Sequence, residues 1–93
     1  MEGERMGQVA VLLRVMPQGV ETDMNEMAKG VRAAMPEGVT VRGMQVKDIA
    51  FGLKSLLVAV VMNDAGGLLD MTERSVAKVP HVESVEVMEQ GLL

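Results

Sequence analysis

Apolar residues recur along this chain in four short valine-rich runs and in two longer stretches of helical spacing. In Gln8 to Met16, Val9, Val11, Leu13 and Val15 share one face, while Ala10, Leu12 and Met16 make the other face apolar too, broken only by Arg14. A strand apolar on both faces belongs in the middle of a sheet. Pro17-Gln18-Gly19 ends it. Thr22-Asp23 then opens a helix, and Asp23 with Glu26 matches a capping box, in which each side chain satisfies a free N–H of the first turn. Met24, Met27, Ala28, Val31, Ala34 and Met35 form one apolar stripe, with Lys29 and Arg32 off it. Gly30 weakens this helix by about 1 kcal/mol against alanine, but lets it lie close to a sheet. Pro36-Glu37-Gly38 stops it.

Val39 to Lys47 reads as a second strand, with Val39, Val41 and Gly43 alternating with Thr40, Arg42 and Met44. Its polarity suits a sheet edge. Asp48 to Gly52 is expected to connect it to Leu53–Asn63, the most apolar strand of all and so a central one. Asp64 to Gly67 has the glycines of a turn. Leu68 to Val79 is a second helix, with Leu68, Leu69, Thr72, Val76 and Val79 facing inward and Glu73, Arg74 and Lys78 outward. After Pro80, Val82 to Met88 alternates as a last strand.

The order strand, helix, strand, strand, helix, strand predicts an α+β, ferredoxin-like βαββαβ fold: a four-stranded antiparallel sheet with two helices on one face. That topology places the first and third strands at the centre, and those are the two most apolar runs. Residues 1–7 are expected to be a flexible leader, 8–90 the single domain and 91–93 a free C-terminal tail. Met6-Gly7 is a second candidate for the start of translation.

Composition narrows what such a domain can do. The chain has 93 residues and no Cys, Trp or Tyr, and its one aromatic residue is Phe51, so ten methionines and many aliphatics must fill the core. Without cysteine there is no disulfide framework, thiolate metal site or thiol nucleophile. The net charge of −4 is uneven. Residues 1–47 hold six acids and six bases, whereas 48–93 hold seven acids and three bases. Nothing basic follows Lys78. No Lys/Arg cluster is present to release counterions from a phosphate backbone, and one phenylalanine cannot form a base-stacking platform, so no direct nucleic-acid partner is expected. The longest apolar run, Leu56 to Met62, is far short of a bilayer span of about 20 residues, and no signal-peptide pattern opens the chain. The expected compartment is the cytoplasm, with no membrane partner.

Enzyme chemistry finds little support. His81 follows the second helix with no Ser or Cys nucleophile placed to use it, and reads as a surface turn residue. Gly66-Gly67 lacks the Lys-Ser/Thr of a P-loop. Asp64 and Asp70 lack the regular spacing of a calcium loop. No cofactor or metal is expected. Arg14 lies inside a strand, so the phosphate-cradling loop of an acyl-phosphate hydrolase has no candidate arginine there. The unusual segment is Ile49-Ala50-Phe51-Gly52-Leu53-Lys54. Either Phe51 turns inward and plugs one end of the core, or it stands exposed at a loop tip as an anchor for a partner's pocket. The residues alone leave both placements open.

The stretch "IAFGLKSLLVAVVMNDAGG" resembles the guanine-nucleotide exchange domain family of elongation factor 1-beta, in its short archaeal form. "VMP" at Val15 to Pro17, "MPEGV" at Met35 to Val39 and "VESVEVM" at Val82 to Met88 do so too, and in the right order. The resemblance covers roughly Met6 to Met88, and "IAFGLK" is its most specific part. It implies a non-enzymatic exchange factor that promotes GDP release from elongation factor 1-alpha in translation, and that is monomeric when free. It also implies that Phe51 inserts into a pocket on the GTPase, with Ala50, Gly52 and Lys54 beside it in the partner-binding segment. Relatives usually carry a basic residue near the C-terminus that projects toward the magnesium site. Here that region reads Glu89-Gln90-Gly91-Leu92-Leu93, so no such role is assigned. That leaves three alternatives open: exchange rests on Phe51 and surface complementarity, exchange is weak, or Lys54 takes the basic role. The alternative reading is a ferredoxin-like regulatory domain that binds a small ligand or oligomerises, with Ala10 and Leu12 covered by a second subunit.

Overall fold

A computed structural model of the protein describes residues 7–63 and 67–93. Most of the expected leader, and the expected turn at Asp64 to Gly66, lie outside the described residues. The elements run β1 (Gln8–Pro17), α1 (Met24–Ala33), β2 (Val39–Ala50), β3 (Leu53–Asn63), α2 (Leu68–Ala77) and β4 (Val82–Leu92). The four strands form one antiparallel sheet in the order β2-β3-β1-β4. This is the expected ferredoxin-like fold, with β1 and β3 at its centre.

Strand parity builds the core. Val9, Val11, Leu13 and Val15 of β1 face the helices together with Leu56, Val58, Val60 and Met62 of β3, and all are buried. Met27 and Val31 of α1 and Val76 of α2 close over them. Burying a side chain of this size stabilises by roughly 1.5–3 kcal/mol, so aliphatic residues and methionines carry this core without an aromatic. Two polar residues are buried as well, Ser55 in β3 and Thr72 in α2, and the Thr72 hydroxyl donates to the Leu68 carbonyl at 2.8 Å. The other face of the sheet carries Ala10, Leu12, Leu57, Ala59 and Val61, each half-buried.

Asp23 caps α1, its carboxylate accepting from the N–H groups of Asn25 and Glu26 at 3.0 and 3.2 Å. Gly30 serves a closer approach than the one expected of it. A Cβ there would lie 2.6 Å from Cγ1 of Val79, so α1 is drawn tight against the connection between α2 and β4 rather than against the sheet.

Three sequence expectations need correction. The alternation in β2 does not persist, because Arg42 is an extra residue between the pairs Val41↔Val60 and Gly43↔Ala59. Such a bulge reverses parity, so Met44 stands opposite Val58 on the helix side and Gly43 moves to the open face. The connection is not Asp48 to Gly52, since β2 continues to Ala50 and only Phe51 and Gly52 remain as the turn. Gly91 and Leu92 are no free tail. They pair with Ala10 and Val9, and the Leu93 N–H donates to the Gln8 carbonyl at 2.9 Å.

Candidate functional site

The long β2–β3 hairpin gives the molecule its elongated shape, 49 × 20 × 17 Å. Its two-residue turn joins Ala50, paired with Leu53, through Phe51 and Gly52. Both turn residues have positive φ, 52° and 82°, as a type I′ hairpin turn demands. The right-handed twist of the flanking strands favours this turn, but its first position normally takes asparagine, aspartate or glycine. Phenylalanine there meets the left-handed steric penalty, of order 1–2 kcal/mol.

The ring gains nothing from the fold in return. Phe51 is 102% exposed, so the core-plug placement is excluded and the loop-tip placement holds. Ala50 and Gly52 are exposed on either side of it. Ile49, the extra residue of a second β2 bulge, is 46% exposed. The structure thus gathers Ala50, Phe51, Gly52 and Lys54 in one hairpin end. Lys54 is engaged there: its ammonium lies 2.9 Å from Oδ1 of Asp48, the residue opposite it in the ladder. This exposed pair contributes at most about 1 kcal/mol, but it ties the two strands just behind the tip.

The remaining candidates have structural explanations. Arg14 reaches across to Glu86, its ladder partner, with Nη2 2.6 Å from Oε1. Asp70 pairs with Arg74 at 2.9 Å along α2, which accounts for its charge. His81 is exposed in a left-handed conformation, φ 77°, and its carbonyl accepts from the Gln18 N–H at 2.9 Å. Among the described residues no three His, Asp or Glu side chains group as a metal site, and no helix is long and apolar enough to cross a membrane. Glu89 to Leu92 lie at the end of the sheet away from the hairpin tip, where β4 meets the start of β1. The sequence reading assigned no role to Val20, which is 60% exposed and stands beside Gly52.

Together these features define a ferredoxin-like domain that presents one strained, fully solvated aromatic ring on a braced hairpin. The comparisons with known proteins agree with that description. The EF-1 guanine nucleotide exchange domain family matches residues 10–93, and the chain belongs to this family. Elongation factor 1-beta of Methanococcoides burtonii is 41% identical over 86 residues, spanning 92% of this chain and 97% of that protein. Elongation factor 1-beta of Archaeoglobus fulgidus is 39% identical over 88 residues, spanning 95% of this chain and all of the other. The domain is a guanine-nucleotide exchange module of translation elongation. Among solved structures, the ACT domain of GTP pyrophosphokinase from Chlorobium tepidum superposes with a TM-score of 0.62 over 87% of this chain and 99% of that one. At 15% identity that likeness concerns the fold alone.

Proposed function

We propose that this domain promotes GDP release from elongation factor 1-alpha by inserting Phe51 into an apolar pocket of the GTPase. The observation that carries the reading is Phe51 itself, fully exposed and held in left-handed backbone, in a chain of the exchange family. A rigid aromatic anchor buries a large area on binding at little cost in conformational entropy. The turn has already met that cost, because its φ angles are set by the hairpin before the partner arrives. Gly52 takes the second positive-φ position at no steric cost, and Ala50 keeps the neck slim enough for the ring to enter a pocket. In this reading Lys54, with Asp48, stiffens the hairpin behind the ring.

Exchange then follows from linkage. A factor that binds the nucleotide-free GTPase better than the GDP-bound form must weaken GDP by the same ratio. No covalent chemistry is required of the domain, no cofactor and no metal of its own, so it is an exchange factor and not an enzyme. It works as a monomer in the cytoplasm, without touching nucleic acid directly. The test is the release of fluorescent GDP from archaeal elongation factor 1-alpha. Sub-stoichiometric protein should accelerate release, and Phe51→Ala should lower the efficiency roughly 30-fold, the scale of a hot-spot anchor of about 2 kcal/mol. An intact protein that leaves the release rate unchanged would sink the reading.

A further inference from the structure

Val20 sits in the connection between β1 and α1, and the sequence around it gives no structural reason for a valine. The Thr22 N–H donates to the Gly19 carbonyl at 3.2 Å, which closes a β-turn with Val20 and Glu21 at its centre. Turn centres favour proline, glycine, asparagine, aspartate and serine, each for a backbone reason that valine does not share. Nor does the core need this side chain, which is 60% exposed. The turn is held in place, because the Gln18 N–H just before it donates to the His81 carbonyl at 2.9 Å.

Its position gives the valine a meaning. A Cβ built on Gly52 would lie 3.9 Å from Cγ1 of Val20, so the β1–α1 turn stands directly against the β2–β3 turn. Two neighbouring turns therefore each carry an apolar side chain where turn chemistry asks for a polar one. Both side chains are left to solvent at the same end of the molecule. Val20 stands beside Gly52, the residue that follows Phe51, and so adds a second exposed apolar side chain to this end from a different element.

We infer that Val20 is a second partner-binding residue, which packs on the rim of the apolar pocket that receives Phe51. The inference rests on the exchange reading above and extends it from one residue to a two-turn surface. The Val20 contact contributes to affinity and not to the disturbance of the nucleotide site, so its loss acts on the concentration dependence of exchange. Val20→Ser should raise the concentration for half-maximal GDP release from archaeal elongation factor 1-alpha about fivefold. The maximal rate and the melting temperature should stay as in the native protein. In a Phe51→Ala background the same substitution should have a smaller effect, since the two side chains share one contact. A Val20→Ser protein with native half-saturation, beside a Phe51→Ala protein that has lost activity, would overturn the inference and leave the exchange reading standing. A native protein without exchange activity would overturn both.

Discussion

Under the exchange reading proposed above, Phe51 sits where the hairpin's own interest and the partner's interest conflict. A type I′ turn is most comfortable with Asn-Gly, and this turn keeps the glycine but replaces the asparagine with the bulkiest apolar residue in the chain. Phe51→Asn should therefore stabilise the domain by about 1 kcal/mol while depressing exchange as severely as Phe51→Ala does. Denaturant melts of the variant and the native protein, read beside the GDP-release assay, check both halves. A variant less stable than the native protein would mean that the ring contributes to the fold in a way its full exposure does not suggest. The same conflict explains why the placement of Phe51 was not legible in the sequence. Composition makes an isolated phenylalanine look like core, and the usual Asn-Gly or Asp-Gly signal of a two-residue hairpin is absent because Phe51 occupies its first position. Lys54 is the milder case. Its bond to Asp48 is exposed, so Lys54→Met should shift stability by less than about 1 kcal/mol and leave exchange far closer to native than Phe51→Ala. A loss equal to that of Phe51→Ala would reassign Lys54 as a direct contact.

Among the elements, legibility tracked burial. β1 and β3 lie between other strands, with one face buried under the helices and the other half-buried, and their bounds follow closely from the apolar pattern. The edge strands were harder to read. In β2 the extra residue Arg42 switches which parity faces the helices, and its one sign in the sequence is the neighbouring Gly43, which fits the alternation equally well as an ordinary strand position. In β4 the extra residue Met88 does the same, and Gly91-Leu92-Leu93 at its end looks like a free tail although Gly91 and Leu92 remain paired with β1. Helix α1 carries an element-scale prediction that propensity alone would get backwards. Gly30→Ala adds about 1 kcal/mol of helix propensity, but its methyl group would stand 2.6 Å from Cγ1 of buried Val79. A β-branched neighbour cannot swing aside easily, and overpacking of this kind costs about 1–3 kcal/mol. Gly30→Ala should thus lower the melting temperature, and Gly30→Ala combined with Val79→Ala should recover part of the loss. A single variant that melts higher than the native protein would show that α1 and the α2–β4 connection have room to separate.

At the scale of the whole molecule, the open face and the two sheet edges raise the question of self-association. Ala10, Leu12, Leu57, Ala59 and Val61 form an apolar strip on the helix-free face, which suits the alternative of a covering second subunit. Yet the strip is only half-exposed, and the Arg14–Glu86 pair and Glu89 bound it on the β4 side. The edges are blunted as well. β2 carries extra residues at Arg42 and Ile49, and β4 at Glu83 and Met88, so neither offers a regular ladder to a second copy. Two copies would also bring together chains of net charge −4, with the acids of β4 lying along one edge. These terms all oppose pairing through the open face or the edges. The free protein should therefore sediment as a single 10.0 kDa species whose coefficient does not rise with concentration. It should shift to a one-to-one complex when nucleotide-free elongation factor 1-alpha is added, and Phe51→Asp should abolish that shift without altering the free species. Concentration-dependent dimerisation that survives Phe51→Asp would direct attention to the open face instead of the tip.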